Sequence, residues 1–176
     1  MNRAVGVVIA LFVVIVGAWA ALVAFGQQER ASRLPTAVPN ISSPAGGEAG
    51  KLTRSDKGEA NVNVSATYMT GKVFAEDPAL KKPDYDPKSQ IVFLVAMNTH
   101  VVDLSTYKLD KLAVLAQSDG SEVKPLGPWI SVQEAMGHHR SGYLKFKRPA
   151  DGPVTLIIKA VGGVPERRFT WDAPLP

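Results

Sequence analysis

The three histidines of this 176-residue chain lie in two segments that could form one site. His138 and His139 are adjacent, with glycine at positions 137 and 142 on either side of their segment. His100 follows the most apolar run of the folded part of the chain, well before that pair. Imidazole is the commonest side-chain ligand of transition metals in proteins. If the two segments meet in the fold, we expect every imidazole of the protein to lie in one place.

The residues around the histidines favour copper or another transition metal. Met97 lies three positions before His100, and Met136 lies two before His138. Thioether and imidazole groups together are typical ligands of copper. Asp103 could add an oxygen ligand or orient His100 through a hydrogen bond. The sequence predicts a metal site formed by Met97, His100, Asp103, Met136, His138 and His139, with Arg140 supporting it.

A structural interpretation of the same residues stays open. His100 can be a half-buried histidine at the end of a core strand, and Met97 can belong to the core. Asp103 can pair with Arg140 or with a histidine and so fix the loop. A triad drawn from Ser105 or Ser141 with a histidine lacks the GxSxG pattern of a nucleophile elbow. We therefore predict no catalytic residue and no enzyme activity.

Composition excludes several other classes of protein. The formal charge is +4 and the pI about 9.4, without a run of basic residues interleaved with aromatic ones. That pattern argues against a nucleic-acid partner. The absence of cysteine excludes disulfides, thiolate metal sites and a cysteine nucleophile.

The N-terminal segment predicts a membrane anchor. Residues 4–25 are all apolar or glycine, and a helix of that length spans roughly 33 Å, about one hydrocarbon core. The alternative is a cleaved signal peptide with its cleavage site near Ala18-Trp19-Ala20, but apolar regions of signal peptides usually run about 7–15 residues. We expect a transmembrane anchor over 1–26 that contacts the lipid bilayer. The protein would then be a single-pass protein of the cell membrane, with its C-terminal part outside the cytoplasm, in a periplasm.

Residues 27–60 are rich in proline, glycine and serine and show no strand or helix periodicity. Such a segment buries too little apolar surface to offset the entropy lost on ordering. We expect a flexible linker over 27–60, followed by the folded domain over 61–176.

The domain shows the pattern of an all-β fold. About seven short strands, separated by turn signals, predict an immunoglobulin-like antiparallel β-sandwich, with a small barrel as the alternative. The strands are expected at 61–68, 90–100, 112–117, 122–126, 143–147, 154–161 and 166–171. Residues 71–74 are expected to continue the first strand past a bulge, and 131–142 to form a long histidine-bearing loop.

A second function class is an accessory or scaffold subunit of a membrane complex, in which the histidines are structural. Trp129, Ile130, Val132 and Met136 could then form a contact patch for a partner protein.

Three motifs carry a resemblance to known proteins. They are NTHVVDL at 98–104, GHHRSG at 137–142 and GGVPERRFTW at 162–171. As a set they resemble a family of small bacterial β-domains that are exported or anchored to the membrane. The resemblance covers roughly 90–171, and it implies a prokaryotic, exported, single-domain protein without implying any cofactor.

Overall fold

The computed structural model describes residues 46–135, 137–150 and 152–172, which form two antiparallel sheets and a few short helices. The strands are β1 (Thr53–Ser55), β2 (Val62–Tyr68), β3 (Gln90–Thr99), β4 (Ala113–Ala116), β5 (Glu122–Val123), β6 (Ile130–Ala135), β7 (His139–Lys147), β8 (Val154–Lys159) and β9 (Glu166–Trp171). The helices are α1 (Gly47–Leu52), α2 (Gly71–Glu76) and α3 (Leu109–Leu112). One sheet has the order β1-β2-β3-β7-β6 and the other β5-β4-β8-β9. The two antiparallel sheets confirm the predicted β-sandwich in outline.

Strand β3 lies at the centre of the larger sheet, and both of its faces are covered. Phe93 and Val95 belong to the main core cluster, which also takes in Leu156 and Phe169 of the smaller sheet. Val92 and Leu94 belong to a second cluster on the outer face, together with Val73 and Phe74 of α2. An unbroken apolar run is what a strand buried on both faces requires. The strand predicted at 90–100 is therefore confirmed, and it is the central one.

The predicted linker is wrong for residues 46–60. Strand β1 pairs with β2, with Thr53 opposite Thr67. The Glu76 carboxylate accepts hydrogen bonds from the backbone amides of Glu48 (2.7 Å) and Ala49 (3.0 Å), which lowers the pKa of Glu76. These elements are too short to leave a periodic pattern, and they gain their stability from contacts with the domain. Residues 27–45 lie outside the described residues.

Two further expectations are wrong. Residues 71–76 form α2 rather than a continued strand, because the Thr70 hydroxyl caps the helix by accepting from the Val73 amide at 3.2 Å. Residues 131–142 form most of the β6–β7 hairpin rather than a long loop, with Gly137 at φ +71° in its turn. Strands β1 and β6 account for the difference between the seven strands expected and the nine described.

A buried arginine joins the start and the end of the domain. The Arg167 guanidinium is buried and lies 2.6 Å from an Asp56 carboxylate oxygen. It also donates to the carbonyls of Glu59 (2.7 Å) and Val161. Asp56 in turn accepts from the Val64 amide at 3.0 Å. These bonds fix the segment before β2 against β9.

None of the helices in the described part of the chain is long and apolar enough to cross a bilayer. The predicted span over 4–25 lies outside the described residues and stays a prediction.

Candidate functional site

The candidate site lies where the end of β3 meets the β6–β7 turn. Asn98 pairs with His139 across the two strands. Past the end of the ladder, the Thr99 amide donates to the His138 carbonyl at 3.0 Å, and the Leu104 amide donates to the Gly137 carbonyl at 2.7 Å. The prediction that the two histidine segments meet is confirmed.

His100 and His139 form the first group at this site. Their ring centroids are 6.1 Å apart, and the planes meet edge to face at 83°. His100 is exposed, and His139 is half-buried. The Nδ1 atom of His139 lies 2.8 Å from the Asn98 side-chain oxygen. An amide oxygen only accepts, so Nδ1 carries the proton of the neutral ring and Nε2 keeps its lone pair.

Asp103 and His138 form the second group. The Asp103 carboxylate accepts from the Ser105 amide at 2.9 Å and so caps the 3-10 turn Leu104–Thr106. Hydrogen bonds from Ser105 lower the pKa of Asp103 most, and the charges of His138 and Arg140 lower it further. Asp103 therefore carries its negative charge near His138, while His139 has Asn98 as its partner.

Arg140 stabilises the turn through hydrogen bonds rather than by pairing with Asp103. Its Nη1 donates to the carbonyls of Leu104 (2.6 Å) and Tyr107 (3.0 Å). Its Nη2 donates to Glu134 at 2.9 Å. The side chain is largely buried, whereas that of Glu134 is exposed. Arg140 thus supports the site by holding the 104–107 segment against the hairpin.

Met97 is wrong as a metal ligand. It is 0% exposed and packs in the main core cluster, because alternate residues of β3 point to opposite faces and Asn98 is the one beside His139. Met136 lies outside the described residues. Among the residues that the structure describes, no group of three or more histidine, aspartate or glutamate side chains could hold a metal ion. The described geometry thus offers a pair of imidazoles as donors.

Asn98 is the residue of this site that sequence reasoning missed. The available signal was a polar residue near the end of a mostly apolar strand. By the alternation of a strand, Asn98 lies on the same face as Ala96 and on the opposite face from Met97.

Ser141 has no relay partner. Its side chain is 2% exposed, and its Oγ makes no hydrogen bond to any residue within the described ranges. A serine nucleophile needs a base within hydrogen-bond reach. The described geometry therefore contains no Ser141–histidine couple.

The three described members of the predicted contact patch are half-buried, and they do not all pack on the same cluster. Trp129 packs on the main core cluster, and Ile130 and Val132 pack on the outer one. Val101, beside His100, is instead the apolar side chain that stands out, with 69% of its surface exposed.

Comparison with family models and with curated proteins finds no match for this chain. Among solved structures, the chain is similar to a protein of family DUF4426 from Pseudomonas aeruginosa. The two share 12% sequence identity with a TM-score of 0.40, over 69% of this chain and 93% of the other.

Proposed function

We propose that this chain is a membrane-anchored binding module displayed outside the cytoplasm, which binds a transition-metal ion, foremost copper, through His100 and His139. The observation that carries the proposal is the separation of 6.1 Å between the two rings, which come from segments far apart in the sequence. In this proposal residues 4–25 form the anchor and the sandwich is of immunoglobulin type.

The spacing of the rings suits one shared metal ion. A histidine nitrogen binds a metal at about 2 Å, which places the ring centre about 3 Å from the ion and two coordinated ring centres about 5–6 Å apart. His100 and His139 already lie near that separation, so binding needs little more than rotation of the exposed His100 ring.

The partner of His139 supports the same conclusion. A metal-binding histidine usually donates its second ring N–H to an oxygen, which fixes the tautomer and makes the free nitrogen a better ligand. The Asn98 oxygen, 2.8 Å from Nδ1, supplies that oxygen and leaves Nε2 as the ligand atom.

Two imidazoles leave the remaining coordination positions to water or to groups from a partner. Of the divalent first-row transition metals, copper is the one that nitrogen donors bind most tightly. An incomplete ligand set of this kind suits a protein that holds the ion transiently and passes it on.

Titration of the full-length chain in detergent micelles with Cu²⁺ or Zn²⁺ tests the proposal. Isothermal calorimetry should show one binding event, and the electron paramagnetic resonance spectrum of Cu²⁺ should show coupling to two imidazole nitrogens. His100→Ala and His139→Ala should each abolish both signals, and Asn98→Leu should weaken binding about tenfold. His138→Gln is the matched control and should retain them. Absence of binding, or equal loss in His138→Gln, would refute the proposal.

A second candidate is the accessory or scaffold subunit with structural histidines, and two observations favour it. The Asn98–His139 bond stabilises the strand pair without a metal, and Val101 offers an exposed apolar contact beside His100. This candidate predicts that His139→Ala lowers the melting temperature in the presence of a chelator. It also predicts that Val101→Ser weakens recovery of a membrane partner without changing the melting temperature.

A further inference from the structure

A cavity lies at the other end of β3, away from the histidines. It encloses roughly 570 Å³ and is lined by residues of the β2–α2 junction, the 85–91 segment and Arg148. Pockets for small organic molecules commonly measure about 300–1,000 Å³. Gln90 at this end and Asn98 at the other are separated by roughly 26 Å along an extended strand, so the cavity is distinct from the histidine pair.

The charged residues that line the cavity are both cationic. Of its ten lining residues two are cationic, Lys72 and Arg148, and none is acidic. Lys82 adds a third positive charge nearby, because its ammonium group lies 5.1 Å from the centre of the Tyr85 ring. The carboxylate of Asp86, just outside, accepts from the Ser89 hydroxyl at 2.7 Å and from the Lys88 amide at 3.0 Å.

Arg148 is held so that part of its guanidinium stays available. Its Nε donates to the Pro87 carbonyl at 3.0 Å, and its Nη2 lies 3.3 Å from the Tyr68 hydroxyl. Nη1 makes no hydrogen bond to any residue that the structure describes. A guanidinium fixed by two of its nitrogens loses little entropy when it binds a carboxylate or phosphate.

The cavity also has an aromatic wall. Tyr85 is half-buried, so its ring keeps a face that a ligand can contact, whereas the lining residues Tyr68, Met69 and Ile91 are almost fully buried.

We infer that this cavity binds a small organic anion with a flat, apolar body. Its carboxylate or phosphate pairs with Arg148 and Lys72, and its flat body lies against the Tyr85 ring. This site is independent of the proposed metal site, since no residue is shared.

Three probes of nearly equal shape test the inference on the full-length chain: phenylacetate, neutral phenylacetamide and cationic 2-phenylethylamine. Phenylacetate should produce saturable shifts of the amide resonances of residues 70–72. Phenylacetamide should bind roughly tenfold more weakly, as expected for the loss of one charged hydrogen bond, and the amine should not bind. Equal binding of acid and amide would overturn the inference, and so would failure of phenylacetate to saturate.

Substitutions locate the contact. Lys72→Gln and Arg148→Gln should each weaken phenylacetate binding about tenfold, whereas Lys124→Gln, an exposed lysine outside the cavity, should not. Equal weakening in Lys124→Gln would mean that only the general surface charge matters, and it would overturn the site. If Arg148→Gln lowers the melting temperature, Lys72→Gln decides, because its exposed side chain makes no hydrogen bond or ion pair to another described residue.

Discussion

Gly142→Ala tests the packing that places the histidine-bearing strand. Gly142 is buried in β7 between β3 and β6. A Cβ atom there would lie 2.5 Å from the Ile130 carbonyl oxygen and 2.6 Å from Cε2 of Trp129. The methyl group must push β6 away from β7 or displace the indole from the core. Inserting one methyl group into a close-packed core typically costs about 1–3 kcal/mol. We expect about 3 kcal/mol here, because one obstacle is backbone.

Thermal unfolding of the full-length chain, followed by tryptophan fluorescence and circular dichroism, measures the effect. For a domain of this size about 4 °C is lost per kcal/mol, so the melting temperature should fall by roughly 12 °C. Gly71→Ala is the matched control. No atom lies within 4 Å of its added Cβ, and the residue is the first of α2. Replacing a helical glycine by alanine should stabilise the protein by roughly 0.5–1 kcal/mol.

The two obstacles can be separated. In a Trp129→Leu background the indole is gone while the Ile130 carbonyl remains, so Gly142→Ala should cost less than in the native chain but still be unfavourable. An unchanged melting temperature for Gly142→Ala, or the same cost in both backgrounds, would refute the packing argument.

Three further predictions concern stability. Arg167→Met should cost about 3–5 kcal/mol in chemical denaturation because it leaves a carboxylate without its buried partner, whereas Arg168→Met, more than half exposed, should cost little. Burial raises the pKa of Tyr143 to about 12, so this residue stabilises the fold fully below the unfolded pKa of about 10 and loses that contribution as pH rises towards 12. Tyr143→Phe should remove this alkaline loss, measured as melting temperature against pH, without destabilising the protein at neutral pH. Gly137→Ala should lower the melting temperature because alanine is strained at φ +71° and its Cβ would lie 2.8 Å from an Asp103 oxygen; equal stability in thermal melts would contradict this.

The central part of the sheet could be predicted because its signals are local. The apolar run of β3 and the alternation in β2 and β9 reflect burial on two faces or on one. Helix α1 and strand β1 left no such signal, because contacts with distant parts of the chain hold them in place. Ala49 of α1 is buried, and the Trp171 indole donates a hydrogen bond to the Leu52 carbonyl at 2.7 Å. Elements of this length depend on tertiary contacts that no local pattern encodes.

The candidate site was predictable in composition but not in detail. The proximity of His100 to His139 follows from β3 lying beside β7, and an antiparallel sandwich makes that pairing plausible from the sequence. Alternate residues of β3 point to opposite faces of the sheet, and this alternation places Asn98 rather than Met97 beside His139. Which side chains share a face depends on the register of the strand, and the register depends on the core as a whole.

The bonds between the first and last strands have a consequence for biosynthesis. Arg54 donates to the Thr170 carbonyl at 3.0 Å, and Trp171 reaches back to Leu52, so the earliest and latest described strands complete one another. A nascent chain cannot acquire these contacts until its final strand has emerged from the ribosome. Folds dominated by such distant pairings form in milliseconds to seconds rather than microseconds. The sandwich is therefore completed only after β9 has been synthesised, and the last strand is a requirement for the final fold.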